Sequence, residues 1–239
     1  MNGFGRAMAA ALLVLGTGLA GGGPAQAAGV TAQAEWVSGD RPLWPFTSLE
    51  QARAWQRLRE VTGDGSWHLD PGRTALAFTR RHLGFTGVDV EVGRSVKGRT
   101  ALVKVGYRHA ESDKPGVAAT IRLVRLGTGP GAPWAVVGTD DDTLTITRPA
   151  YGASVRSPLT VSGRITGVDE SLRVRALVRG ADRPAGSTCC EPAGGENASW
   201  RVRLSFRAAP GTLMTLVVST GGHVAEVERF AVTAVRAAG

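Results

Sequence analysis

Arginine at alternate positions is the strongest chemical signal in the sequence. Arg173, Arg175 and Arg179 form one set, Arg201, Arg203 and Arg207 another. Alternate residues of a strand share a face, so each set would present guanidinium forks suited to phosphate or carboxylate oxygens. The same pattern also serves plain solubility, with Glu226 and Glu228 as partners for some of these charges. Cys189 and Cys190 are the only cysteines. Neighbouring Cα atoms stand about 3.8 Å apart, below the usual disulfide span of about 4.4–6.8 Å. A bond between the two therefore needs a strained vicinal ring, and the alternatives are free thiols or bonds between molecules. The four histidines, His68, His82, His109 and His223, lie far apart without metal-ligand spacing. Asp140-Asp141-Asp142 lacks the alternate acids and the glycine of a calcium loop and reads as a solvated turn. His109, Ser112 and Asp113 share one polar loop, 108–116, where no triad could be held rigid. Gly127-Thr128-Gly129-Pro130-Gly131 reads as a turn, since its proline has no N–H to offer a phosphate. The sequence thus predicts no catalytic residue, no metal and no cofactor.

The elements that must position these residues change character along the chain. Ser48 and Gln51 stand in capping-box spacing, and Leu49, Ala52, Trp55 and Leu58 recur at helical intervals. Asp70 followed by Pro71 announces a second helix, running to about Leu83 and stopped by Gly84. Beyond Gly87 the period becomes two, through Val88/Val90/Val92, Val103/Val105/Tyr107, Ile121/Leu123 and a strand from Trp134. Two helices followed by four strands predict an α+β domain over residues 42–147, helices packed on an antiparallel sheet. The order is similar to that of NTF2-like and cystatin-like folds. From Leu144 onward short strands recur at 143–147, 158–165, 171–179, 198–207, 212–219 and 223–234, separated by turn residues. That layout predicts an all-β immunoglobulin-like sandwich over 148–236, with a polar loop between residues 180 and 198.

Residues 1–27 read as a secretory signal peptide: Arg6, an apolar run from Ala7 to Ala20, then Ala25-Gln26-Ala27 as the cleavage site. Residues 28–41 read as a linker. The exported chain would carry its charge unevenly. Residues 28–147 hold 15 bases and 13 acids, net +2, and residues 148–239 hold 12 and 7, net +5. Outside the cytoplasm nucleic acid ceases to be a plausible partner. Anionic cell-wall polymer, a membrane surface or an envelope protein takes its place.

Ile146-Thr147-Arg148-Pro149-Ala150-Tyr151-Gly152, followed by Val155-Arg156-Ser157-Pro158-Leu159-Thr160-Val161-Ser162-Gly163, resembles the opening of the immunoglobulin-like domain of bacterial spore germination proteins. Trp200 stands where that family carries a Trp-containing strand, and the resemblance covers residues 144–234. Thr166-Gly167-Val168-Asp169-Glu170 replaces an acidic-aromatic segment that many members carry. The resemblance implies a non-catalytic interaction module at the cell envelope, with a link to sporulation or germination among its implications. Leu43-Trp44-Pro45-Phe46 and Pro133-Trp134-Ala135-Val136-Val137-Gly138-Thr139 are similar to segments of exported actinobacterial proteins, and bring no activity with them. The expected function is therefore binding or assembly in the envelope, without catalysis. The alternative is a small-ligand or enzymatic site in the α+β domain, its pocket lined by Trp44, Trp55, Trp67 and Trp134.

Overall fold

The computed structural model describes residues 41–109 and 112–239. The expected signal peptide and nearly all of the expected linker lie outside the described residues.

Helix α1, Leu49–Thr62, starts where the capping box predicts. The Gln51 N–H donates to Ser48 Oγ at 3.1 Å, and the Thr47 N–H donates to the Gln51 side chain at 2.9 Å. Gly63, at φ 73, closes the helix in the left-handed conformation. Helix α2, Pro71–Ala77, is capped by Asp70, which accepts from the Arg73 N–H at 2.8 Å. It continues as a single π turn over Phe78–His82, closed by the Leu83 N–H on the Phe78 carbonyl at 3.1 Å.

The rest is strand. Strands β1 (Val90–Lys97), β2 (Thr100–His109), β3 (Ser112–Arg125) and β4 (Trp134–Thr139) form an antiparallel sheet in chain order. Strands β5 (Leu144–Arg148), β6 (Ala153–Val155), β7 (Leu159–Val178), β8 (Gly186–Leu204), β9 (Leu213–Thr220) and β10 (Arg229–Ala237) form a second sheet. Strand β8 runs along one edge of β7 for almost its whole length. On the other edge β5 pairs with the first half of β7 and β9 with the second. Register shifts after Ile165 and Gly167 interrupt the β7–β8 ladder near its middle, the kind of irregularity that bends a long hairpin. Both halves then line one core: Val161, Ile165 and Trp200 from one end, Leu172, Val174 and Ala176 from the other, with Leu216 and Val235.

The expected fold class requires correction. The described residues are mostly β, 52% strand and 15% helical, and the predicted α+β domain with helices layered on a sheet does not form. The reason is the limited apolar face of the helices. Ala52 is the one buried residue of α1, while Leu58 and Val61 are exposed, and α2 has only seven residues. The cover comes from the second sheet instead. Leu177, Val217, Phe230, Val232 and Ala234 join Val103, Val105, Ile121, Leu123 and Val136 in one buried cluster, to which Ala75 and Phe78 also belong. On β10, Phe230, Val232 and Ala234 enter this core while Ala231, Val235 and Ala237 enter the other. The central strands are therefore buried on both faces, and the described residues fall in one compact unit.

Local predictions change accordingly. The segments 158–165 and 171–179 are one strand, β7, and the predicted loop between 180 and 198 is largely strand β8. His109 and Ser112 pair across the β2–β3 hairpin, so the described residues of the predicted polar loop, 108–109 and 112–116, are strand.

Candidate functional site

The two arginine sets have different fates. Arg173 and Arg175 lie in the second half of β7, on the face opposite Leu172, Val174 and Ala176, and Arg179 lies in the turn just past its end. Around Arg175 that face meets the preceding half of the chain rather than solvent. Arg175 Nη2 donates to the Leu83 carbonyl at 2.8 Å, and its guanidinium lies over the Phe85 ring, 4.8 Å from the centroid. Burial, with Arg173 nearby, pulls the Arg175 pKa below its ordinary value, against a smaller opposing pull from Glu226. Its Nε is buried without a hydrogen-bond partner. Arg179 Nη1 donates to the Pro45 carbonyl at 2.8 Å. Both side chains therefore fasten backbone carbonyls of residues 45–83 to the second sheet. Arg173 is exposed and pairs across the sheet with Cys189 on one side and Ser219 on the other.

The second set lies at the other end of the β7–β8 hairpin. Arg201 pairs with Ser162, which pairs in turn with Arg148 of β5. Arg203 pairs with Thr160, and Arg164 with Ser199. Directly paired residues share a face, so Arg148, Arg164, Arg201 and Arg203 stand together on the exposed surface of β5, β7 and β8. Arg201 and Arg203 are about 7 Å apart along the strand, and Arg148 lies two strand spacings, about 10 Å, from Arg201. The hydroxyls of Thr160, Ser162 and Ser199 stand among them. A shallow groove of about 620 Å³ runs over this face, bounded by Thr147, Arg148, Pro149, Ser162 and Arg201. Arg164 Nη1 donates to the Asn197 carbonyl at 3.0 Å. Among the described residues, no carboxylate lies within ion-pair distance of Arg148, Arg201 or Arg203. Arg207 is exposed beyond the end of β8, its N–H on the Ala185 carbonyl at 2.9 Å.

Arg148 and Arg164 belong to this face and were absent from the sequence-level candidates. Alternation within one strand cannot show them. They become neighbours through the pairing of β5 with β7, which no spacing along the chain encodes.

Cys189 and Cys190 are bonded to each other and exposed. Leu172 pairs with Glu191 and Arg173 with Cys189, so Cys190 is the extra residue of a bulge, with φ 145. Of the tryptophans, Trp44 and Trp134 are buried, Trp44 and Trp67 stack at 5.5 Å, and Arg125 lies 4.9 Å over Trp134. His68 sits among aromatic rings, 3.5 Å from Trp67, 4.9 Å from Trp55 and 5.0 Å from Phe46. Burial, reinforced by Arg81, lowers its pKa to about 4. Among the described residues, no group of three or more His, Cys, Asp or Glu gathers to hold a metal ion. No helix among them is long and apolar enough to cross a membrane.

Neither a family model, nor a curated protein, nor a solved structure matches the chain.

Proposed function

We propose that this protein is an exported, non-catalytic binding module that holds an anionic polymer of the cell envelope across the face formed by β5, β7 and β8. The observation that carries this reading is the arginine face itself. Arg148, Arg164, Arg201 and Arg203 gather there, and three of them have no carboxylate at ion-pair distance among the described residues. An unneutralised cationic surface attracts a polyanion by charge, and guanidinium forks bind its oxygens by paired N–H donors. Two further points support the reading. The basic excess lies in residues 148–239, and residues 144–234 carry the resemblance to an envelope interaction domain.

The test is co-sedimentation of the purified chain with isolated cell walls at rising salt. Binding is expected to weaken steeply with salt, since exposed charges are screened within about 10 Å at 0.1 M. Arg201→Ala/Arg203→Ala should reduce affinity at least about ten-fold, the loss of two charge-assisted contacts. Sedimentation indifferent to both salt and this double substitution would overturn the proposal.

A further inference from the structure

A second basic feature lies away from the open arginine face. The π turn and the residues after it, Arg81 to Gly84, converge with β7 and the following turn to enclose a cleft of about 400 Å³. Its polar wall is Arg81, His82, Arg175 and Arg183, with Asp182 as the one acid of the lining. Its apolar wall includes Leu83, Leu177, Val178 and Pro184.

The cleft is built rather than incidental. Arg175 is fixed from two sides, by its hydrogen bond to the Leu83 carbonyl and by the Phe85 ring beneath its guanidinium. His82 is fixed as well: its Nε2 lies 3.0 Å from Thr215 Oγ1 of β9, and its ring is 5.4 Å from that of Phe78. Arg81 rests 5.4 Å from the centroid of Trp67. These contacts hold cationic groups at the edge of a concave space with no carboxylate at ion-pair distance from Arg81, Arg175 or Arg183 among the described residues. Three guanidinium charges against one carboxylate leave the lining with a net +2 while His82 is neutral. Burial, together with Arg179 and Arg175, lowers the His82 pKa to about 4, so the ring is uncharged near neutrality. A neutral imidazole can donate or accept a hydrogen bond without adding to the positive field.

We infer that this cleft binds a small organic anion, its carboxylate or phosphate group held by Arg81, Arg175 and Arg183 and its apolar body lying against Leu83, Leu177 and Val178. The space suits a ligand of small-metabolite size. The fixed guanidinium of Arg175 reduces the ordering cost of binding. This ligand would be separate from a polymer on the β5–β7–β8 face, because the cleft lies at the other end of the β7–β8 hairpin.

The experiment is titration of the purified ¹⁵N-labelled chain with inorganic phosphate in one arm and pentanoate in the other, followed by amide resonances. At least one probe should give saturable shifts concentrated in residues 81–84 and 175–184, with a dissociation constant below about 10 mM. Pentanoate alone would identify a carboxylate with an apolar body, and phosphate alone or the tighter phosphate a phosphate group. Arg81→Ala and Arg183→Ala alter exposed side chains and keep the fold, which the unperturbed resonances of β2 and β3 would verify. Each should weaken binding about ten-fold, whereas Arg201→Ala/Arg203→Ala should leave it unchanged. The inference is overturned if neither probe saturates, if the shifts lie elsewhere, or if the outer-face substitutions rather than the cleft substitutions abolish them.

Discussion

Acidification from pH 7.5 to 5 should destabilise this protein through the buried His68 and the half-buried His82. His68 and His82 both have pKa values lowered from 6.5 to about 4, first by burial and then by arginines: Arg81 for His68, Arg179 and Arg175 for His82. In the unfolded chain both rings take up a proton as pH falls through 6.5, while in the folded chain both stay neutral until about 4. The unfolded state therefore binds more protons across this window, and stability falls as pH falls. Integration from pH 7.5 to 5 gives about 2 kcal/mol per ring, and water at the partly open sides of the rings reduces the pair's sum to about 3 kcal/mol. That is a large share of the 5–15 kcal/mol typical of a domain. Two carboxyls affect a lower window. Burial alone would raise Asp70 and Glu228, but the Arg94 guanidinium with the Arg73 N–H, and the N–H groups of Val224, His223 and Ala225, hold both below their usual values. The assay is urea unfolding at pH 7.5, 6.5, 5.75 and 5. The midpoint should drop through the series, and His68→Gln/His82→Gln should flatten the dependence even if its midpoint at pH 7.5 is lower. A wild-type midpoint equal at pH 7.5 and 5, or a double variant as steep as wild type, would refute the reasoning.

Other substitutions test the packing directly. Arg175→Leu should lower stability by about 1–3 kcal/mol in urea unfolding, because the Leu83 carbonyl loses its 2.8 Å donor and Phe85 its cation. Gly163→Ala would place a methyl group 1.8 Å from the Thr145 carbonyl oxygen and 2.8 Å from Trp200. It should cost at least about 2 kcal/mol, visible as a lower melting temperature, while Gly87→Ala, which meets nothing within 4 Å, should change it little. Cys189 and Cys190 are joined to each other, so intact-mass analysis after alkylation should show no adduct before reduction and two after it.

The ends of elements were legible in the sequence because their chemistry is local. Ser48 and Asp70 cap the helices they precede, since an N-cap needs only a side-chain oxygen and an N–H three residues on. The alternation of Val103 and Val105, or of Ile121 and Leu123, marks a strand face for the same reason. Two long-range facts were not legible. Polar residues 186–198 form strand because β7 holds them in a ladder, although Gly, Glu, Pro and Asn are poor strand formers. The partner of the first sheet was equally hidden. Helical periodicity around Leu49, Ala52, Trp55 and Leu58 suggested a helical cover, yet Leu58 is exposed and the cover is Leu177, Val217, Phe230 and Val232. Amphipathic period identifies a face that can be buried, but does not specify what buries it.

The arginines show the same ambiguity in a form that bears on function. Period two divides β7 into Leu172/Val174/Ala176 and Arg173/Arg175, and polarity alone assigns the second face to water. Arg175 instead crosses an interior boundary, because a long apolar stem can lie against Phe85 while one N–H reaches a backbone carbonyl. Arg201 and Arg203, equal in residue type and spacing, remain open because no segment of the described chain covers β5 and the first half of β7. Removing charge at the two ends of one hairpin should therefore separate two phenotypes. Arg175→Leu should lower the unfolding midpoint and leave cell-wall affinity largely intact under folded conditions. Arg201→Ala/Arg203→Ala should leave the midpoint within about 0.5 kcal/mol, as exposed substitutions usually do, and weaken wall binding. Equal effects of the two changes on both measurements would contradict this division of roles.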